Sequence, residues 1–181
     1  MNEEELLVLA RRADNAARTE LVMRYGRRLF GLAAALLGGD DADVNDVVQE
    51  TFLAAFDGGL KAFKGNASLA TWLSGVMINR VRKLRRYRQS RPASPLDDAQ
   101  RQPAAGDQAS RSPATQVEQR IDVATMLDSL PPEYREVIVL RELQQMSYAQ
   151  MASVLGVPER TAETRLTRAR RMLRQRFGGY G

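Results

Sequence analysis

Two helical patterns meet at a single glycine between Ser147 and Leu173, and this feature constrains the fold more than any other. Apolar residues recur at helical spacing before Gly156, and after it they recur at intervals of four, three and four positions. Gly156 reaches a left-handed turn conformation at low cost, and Pro158 suits the start of a helix because its missing N–H needs no partner. The second helix is rich in arginine, so the segment predicts a DNA-reading helix-turn-helix. An ordinary helical hairpin with a solvated basic face is the alternative.

The composition narrows the chemistry that the chain can perform. Its net charge of +5 and pI of about 10.0 favour a polyanionic partner. Cysteine and histidine are absent from the sequence, which excludes thiol nucleophiles, histidine bases, the usual zinc sites and disulfides. The N-terminus does not resemble a signal peptide, and no apolar run reaches the ~20 residues of a membrane span. Most enzyme classes are therefore excluded, and we expect a cytoplasmic protein without a metal or cofactor.

Residues 1–90 have apolar residues at helical spacing throughout. All seven prolines lie at or after Pro92, so this half lacks the strongest helix breaker. The pattern predicts four helices, and the second has Val22 among its inward residues. Gly38–Gly39 and Gly58–Gly59 end the second and third helices, and Ser68 caps the fourth. We expect these helices to form one domain.

The composition changes over residues 91–116 to Pro, Ala, Ser, Gln and Asp without apolar periodicity, which predicts a flexible linker. Helical spacing resumes at Val117, so residues 117–181 form a second domain. The predicted fold class is all-α, with two small helical domains joined by the linker. A tether of about 25 residues has an r.m.s. span of roughly 25–30 Å, and it would also let the domains pack together and hide their DNA-binding faces.

Two long segments, taken together, resemble a known family. DADVNDVVQETFLAAF and the later FKGNASLATWLSGVMINRVRKLRR resemble region 2 of bacterial sigma factors of the extracytoplasmic-function (ECF) group. The segment LDSLPPEYREVIVLRELQQMSYAQMASVLGVPERTAETRLTRARRMLR resembles region 4 of the same group. The resemblance implies a non-enzymatic factor that binds core RNA polymerase, recognises two promoter elements and helps to melt the downstream one.

The resemblance implies that the third helix binds the β′ clamp helices of the polymerase, while region 4 meets the β flap. The matching positions on the third helix are Asp43, Asp46, Gln49 and Glu50. The three acids fall at i, i+3 and i+7 and share one helix face. Asn45 stands where the family commonly has an acid, so the acidic face lacks one charge. Thr51 follows this face, and one hypothesis is that an activating kinase adds a phosphate there and restores the missing charge.

The resemblance also implies that the fourth helix and the loop before it read the minus-ten element. A loop of small and amide-bearing residues can hold an unstacked base, and the arginines and lysine can hold phosphates. Lys83 stands where the family often has Asp. The fourth helix also contains Trp72, for which core packing is favoured over base stacking. The expected minus-ten residues are Lys64, Asn66, Ser68, Asn79, Arg80, Arg82, Lys83, Arg85 and Arg86.

The helix-turn-helix is expected to read the minus-thirty-five element in duplex DNA. Arg bonds guanine bidentately, Thr contacts a base or a thymine methyl, and Glu accepts from cytosine. The family often has Gly, a basic residue and Ser at positions 160, 163 and 164, so the departures here predict a different promoter sequence. The expected residues are Ser147, Tyr148, Arg160, Thr161, Glu163, Thr164, Arg165 and Arg168.

Two other classes of function are weighed beside the sigma factor. A transcription regulator with a C-terminal helix-turn-helix would leave the acidic and basic helices unexplained. A metal-dependent nucleic-acid enzyme would use the clustered acids Asp40, Asp41, Asp43 and Asp46, but one helix face does not supply converging ligands. The expected partners are therefore core polymerase and promoter DNA, and the resemblance adds an anti-sigma factor.

Overall fold

The computed structural model describes residues 2–38, 41–90 and 123–178, and every regular element within these ranges is a helix. The all-α class predicted from the sequence is therefore confirmed. The predicted linker over 91–116, together with Asp40, lies outside the described residues. None of the helices in the described ranges combines the length and apolar character needed to cross a membrane.

The N-terminal unit, residues 2–90, is a helical bundle in which the chain is kinked at Asp57 and Gly58. Its elements are α1 (Glu3–Arg11), α2 (Asn15–Leu37), α3 (Asp41–Ala54), a π-helical turn (Ala55–Gly59), α4 (Leu60–Ala62) and α5 (Leu69–Ser90). Gly38 ends α2 in the left-handed conformation with φ +80°, and Gly58 turns the chain with φ +90°. The Ser68 hydroxyl accepts from the Thr71 N–H at 3.2 Å and so caps α5.

The core of this unit lies between α2, α3 and α5. Leu21, Leu29 and Leu36 of α2 are buried against α3 and α5, where Val44 and Met77 are buried in turn. The sequence-based expectation for Val22 was wrong, because it is 41% exposed. The buried row of α2 follows the 3.6-residue repeat through Leu21 and Tyr25, which turns the adjacent position outward.

The C-terminal unit, residues 123–178, contains the helix-turn-helix. Its elements are α6 (123–128), α7 (Pro132–Ile138), a π-helical turn (Val139–Leu143), α8 (Tyr148–Leu155) and α9 (Glu159–Phe177). Gly156 links α8 to α9 with φ +67°, as the sequence predicts. Pro158 immediately precedes α9 instead of forming its first residue. Ala162, Leu166, Ala169 and Leu173 of α9 are buried at the predicted spacing.

The two units pack against each other. Helix α5 contacts α8, and α2 contacts both α7 and the Val139–Leu143 turn. A Cβ added at Gly75 would lie 3.9 Å from the Val154 Cα, so the small residue allows the backbones of α5 and α8 to approach closely. The C-terminal unit therefore lies over the part of α5 that follows the 63–68 loop.

Candidate polymerase-binding and nucleic-acid-binding surfaces

Helix α3 presents part of the acidic face expected from the sequence. Asp46, Gln49 and Glu50 are exposed along one side of the helix. Asp43 is different, since its side chain is only 15% exposed and pairs with Arg88 near the end of α5. The face available to a partner therefore consists of Asp46, Gln49 and Glu50.

Helix α5 runs alongside α3 and lowers the net charge of the acidic face. Arg80 Nη1 lies 4.0 Å from Glu50 Oε2, while Arg88 pairs with Asp43 at the other end of the contact. The Asn45 amide donates to the Asp41 carbonyl at 2.7 Å and so bonds within its own helix.

Among the described residues no group of three acids, histidines or cysteines is arranged to hold a metal ion.

Thr51 lies in the core, not on the acidic face. Its side chain has no exposed surface, and its hydroxyl donates to the Val47 carbonyl at 2.7 Å and contacts Met77 Sδ at 3.6 Å. A kinase cannot reach this hydroxyl while α3 is packed against α5. The burial therefore argues against the phosphorylation hypothesis.

A cleft of about 350 Å³ opens between the 63–68 loop and α5. Lys64 and Asn66 of the loop and Asn79 of α5 line it, so the fold brings together three of the expected minus-ten residues. Gly65 turns the loop with φ +75°. Ser68 does not line the cleft, because its hydroxyl caps α5.

Several residues of the cleft were not expected from the sequence. Trp72 lines one side and packs on Phe63 with 5.3 Å between ring centroids, so it supports the loop and also borders the cleft. Ser153 and Val154 of α8 close another side. Their spacing in the sequence carries no signal for this role, because only the packing of the two units brings them to the loop.

The basic side chains of α5 fall into two groups. Lys83 and Arg86 are exposed, as expected of phosphate-binding residues. Arg82 and Arg85 instead face the C-terminal unit, where Arg82 pairs with Glu136 at 2.7 Å and Arg85 lies 3.8 Å from the same carboxylate. In this conformation Arg82 and Arg85 are held by a buried acid and are not available to DNA.

The environment changes the pKa values of the two arginines in opposite directions. The hydrogen bond from Arg82 to Glu136 raises the pKa of its guanidinium, whereas burial lowers the pKa of Arg85, with the nearby Arg135 adding to the effect. Burial lowers the pKa of a base because it disfavours the charged form. The positive charge of Arg85 is thus less well balanced by its surroundings than that of Arg82.

The surface of α9 that is expected to read DNA is open. A cleft of about 530 Å³ is bordered by α9 and the start of α7, and the expected residues that line it are Arg160, Thr161, Thr164, Arg165 and Arg168. Glu163 is exposed on the same helix but does not line the cleft. Glu133 and Tyr134 of α7 border it and were not expected, because tertiary packing places them there.

The two expected residues at the start of α8 also have structural roles. The Ser147 hydroxyl accepts from the Gln150 N–H at 3.2 Å, and the Gln150 side chain accepts from the Ser147 N–H at 2.9 Å. This reciprocal pair is a capping box, which fixes the start of α8. The guanidinium of Arg141 lies 5.4 Å from the ring centroid of Tyr148, within cation–π range.

Comparison with known proteins places both units in one family. The family model for sigma-70 region 2 matches residues 21–91, and that for sigma-70 region 4 matches residues 120–173. RNA polymerase sigma factor NccH of Alcaligenes xylosoxydans xylosoxydans is 35% identical over 91% of this chain and 90% of its own length. ECF RNA polymerase sigma factor SigM of Mycobacterium tuberculosis is 32% identical over 98% of this chain and 85% of its own.

A solved structure agrees with these matches. CnrH in complex with the cytosolic domain of CnrY superposes with a TM-score of 0.69 and 30% identity, and covers 94% of each chain. Two region models in the expected order, relatives matched over nearly the whole length and a shared two-unit fold all agree. The chain therefore belongs to the ECF group of the sigma-70 family, whose members are RNA polymerase sigma factors that direct promoter-specific initiation of transcription.

Proposed function

We propose that each of the two units contributes a defined contact surface when this sigma factor initiates transcription. The observation that carries the proposal is the separation of charge, with exposed acids on α3 and an exposed arginine-bearing face on α9. We divide the chain into region 2 (1–90), a linker (91–116) and region 4 (117–181). In this role the chain performs no covalent chemistry, and it acts in the cytoplasm.

Polymerase binding is assigned to Asp46, Gln49 and Glu50 of α3, with Asp43 contributing after release from Arg88. A row of carboxylates on a helix steers and orients a basic partner surface more than it adds raw affinity. The proposed partner is the β′ clamp of core polymerase, and region 4 meets the β flap. The burial of Thr51 supports a face that works without phosphorylation.

Minus-ten recognition and melting are assigned to the cleft between the 63–68 loop and α5. Its amide-bearing walls, Asn66 of the loop and Asn79 of α5, suit a base turned out of the duplex. Lys83 and Arg86, which are exposed, are assigned to the adjacent phosphates, a contribution that is independent of sequence and weakens with salt. Capture of an unstacked base would favour the melted strand over the duplex.

Minus-thirty-five recognition is assigned to the exposed face of α9. We assign Arg160, Thr164 and Arg168 to base edges and nearby phosphates, which their exposure to solvent or to the cleft supports, and Glu163 would favour a cytosine amino group. Ser147 and Tyr148 at the start of α8 are assigned to the phosphate backbone. CnrH has been solved with the cytosolic domain of CnrY, and we propose that an anti-sigma factor likewise regulates this chain.

The function is tested by purifying the tagged full-length chain from its host and mapping transcript start sites after overexpression. We expect core polymerase to co-purify, and new start sites to share two sequence elements upstream. A transcription regulator with the same helix-turn-helix would alter transcription without stoichiometric polymerase binding to the free factor. Absence of both polymerase association and new start sites would overturn the proposal.

A further inference from the structure

One buried carboxylate lies at the contact between the two units. Glu136 of α7 is 2% exposed and accepts two hydrogen bonds from the Arg82 guanidinium of α5, from Nε at 3.1 Å and from Nη2 at 2.7 Å. Such a bidentate arginine–carboxylate pair is among the stronger hydrogen-bonded contacts in proteins, and its geometry resembles the way arginine binds phosphate. Arg85 Nη1 adds a second positive charge 3.8 Å from Glu136.

The same arginines also contact the carbonyl ends of helices. Arg82 Nη1 donates to the Leu155 carbonyl at the end of α8 at 3.3 Å. The Leu36 carbonyl near the end of α2 accepts from both Arg85 and Arg135. Carbonyls in the last turn of a helix lack helical partners and carry partial negative charge, so cations are stabilised there. These contacts connect α2 and α5 with α7 and α8.

The contact between the units also reaches the minus-ten cleft. Ser153 and Val154 form one of its walls, and Gly75 permits the close approach of α8. Arg82, Arg85 and one side of the proposed base pocket are therefore covered by the same contact between the units. The exposed residues Asp46, Gln49 and Glu50 of α3 remain uncovered.

The ion pairs of Arg82 and Arg85 with Glu136 are weak enough in net free energy for another anion to replace them. Removing two charges from water costs several kcal/mol per ion, and this cost offsets much of the attraction between them. Arg85 Nη1 is buried without a hydrogen-bond partner. A DNA phosphodiester carries one negative charge shared by two non-bridging oxygens, as a carboxylate does, so it can accept the same pair of arginine hydrogen bonds in place of Glu136.

We propose that Glu136 is an internal substitute for a DNA phosphate and forms an autoinhibitory latch with Arg82 and Arg85. In the latched chain, region 4 covers the minus-ten surface while the polymerase-binding face stays open. Binding of core polymerase separates the units, and promoter DNA then takes the place of Glu136. The proposal rests on the role assigned above to α5 in minus-ten binding.

A disulfide lock tests the latch in the full-length chain. The natural sequence contains no cysteine, so Gly75→Cys with Val154→Cys introduces a single pair where α5 and α8 approach closely, and the loss of free thiols on oxidation reports that the disulfide has formed. We expect the oxidised protein to bind core polymerase but to support little transcription, and the same sample to recover at least about tenfold on reduction. The two single-cysteine variants should show no change with oxidant. Equal transcription by the oxidised and reduced pair would overturn the latch.

Glu136→Gln tests the charge itself. A short fluorescein-labelled single-stranded oligonucleotide of mixed sequence serves as the probe, and anisotropy reports its affinity for the free chain. We expect affinity to rise roughly fivefold or more, the usual range for coupling between two sites. Glu142→Gln is the matched control, because Glu142 is exposed and pairs with Arg170 inside the C-terminal unit at 2.7 Å. It should leave the affinity unchanged.

A third variant separates failure of the latch from failure of the assigned DNA surface. Lys83→Glu with Arg86→Glu should abolish probe binding in both the wild-type and the Glu136→Gln backgrounds. If it does so while Glu136→Gln gains nothing over wild type, the DNA surface stands and the latch is overturned. If Lys83→Glu with Arg86→Glu has no effect, both the latch and the α5 assignment are overturned. Should Glu136→Gln not fold, the disulfide pair decides.

Discussion

At the scale of single residues, the side chains of α3 have different roles although the sequence makes them look alike. Asp46 is exposed and Asp43 is largely buried beside Arg88, yet both are acids on one predicted helix face. Exposed charges contribute little to the free energy of unfolding. The exposed Asp46 carboxylate can therefore serve in binding with little effect on the stability of the fold.

Asp46→Arg is expected to weaken association with core polymerase by at least about tenfold, because it places a positive charge where a basic partner is proposed to bind. The thermal midpoint should stay within the range of an ordinary surface substitution. Co-purification and quantitative binding to core polymerase measure the effect. Glu4→Arg makes the same charge change at an exposed position of α1 and should bind normally. Normal binding by Asp46→Arg would contradict the assigned face.

Thr51→Glu is expected to destabilise the protein by roughly 2–4 kcal/mol, since it places a charge in a fully buried site. Urea denaturation measures the free energy of unfolding. Thr51→Val keeps the shape, loses only the hydroxyl hydrogen bonds and should cost about 1 kcal/mol. A Thr51→Glu protein that is as stable as wild type and more active in transcription would restore the phosphorylation hypothesis.

Tyr25 predicts a dependence of stability on alkaline pH. Its hydroxyl donates to Glu3, and burial together with this bond raises the pKa of Tyr25 to about 12. A tyrosine in the unfolded chain ionises near pH 10. The folded state therefore retains a proton that the unfolded state loses, and stability falls as pH rises from about 10 to 12. The free energy of unfolding should fall less steeply over this interval in Tyr25→Phe, and equal slopes would refute the assignment.

At the scale of elements, two glycines illustrate why position decides the effect of the same substitution. Gly156 has φ +67° in the turn between α8 and α9, whereas Gly31 lies inside α2, and a Cβ at either position would meet open space. Backbone conformation is therefore the main difference between them.

Gly156→Ala is expected to lower the free energy of unfolding by about 1 kcal/mol, because a Cβ disfavours the left-handed conformation. Gly31→Ala should raise it by about 0.5–1 kcal/mol, because alanine favours a helix interior. Chemical denaturation of the two variants beside wild type provides the comparison. A loss of stability in both would mean that packing, not conformation, controls these positions.

Helix α5 shows that one element can carry two charge patterns. Lys83 and Arg86 face solvent, while Arg82 and Arg85 face α7. Residues three apart lie on the same side of a helix, so the division follows from the helical repeat. All four were expected to hold phosphates, because the helical repeat alone does not tell which pair meets DNA and which meets another part of the chain.

At the scale of the whole molecule, the latch couples two units that the sequence separates by a long linker. The contact includes the Arg82–Glu136 pair and the hydrogen bonds of Arg28 to Gln144 between α2 and the turn before α8. A contact that both units must lose on unfolding makes their unfolding cooperative.

The free wild-type chain is expected to unfold in one calorimetric transition, and Glu136→Gln in two. Losing one partner of a buried pair leaves the arginines uncompensated and weakens the contact between the units. Differential scanning calorimetry measures this, and Glu142→Gln should behave as wild type. Two transitions in the wild type would show that the units do not stabilise each other.

The sequence by itself determined the long helices and several of their ends, though not the short α4, because helical periodicity, Gly156, Gly38 and Ser68 act over a few neighbouring residues. It also determined the acid-bearing face of α3 and the arginine-bearing face of α9, since one-sided polarity is a local property of each helix. The match to sigma-70 regions 2 and 4 confirms the family that these motifs indicate.

Only the tertiary structure decided which of these charges are free. Glu136 looks like an ordinary surface acid in the sequence, yet packing buries it against arginines that lie 54 and 51 positions earlier in the chain. Likewise the cleft beside the 63–68 loop is bordered by Ser153 and Val154, and the cleft beside α9 by Tyr134, because elements far apart in sequence are in contact. Burial and pairing depend on how the two units pack together, and a pattern of neighbouring residues in the sequence does not encode that packing.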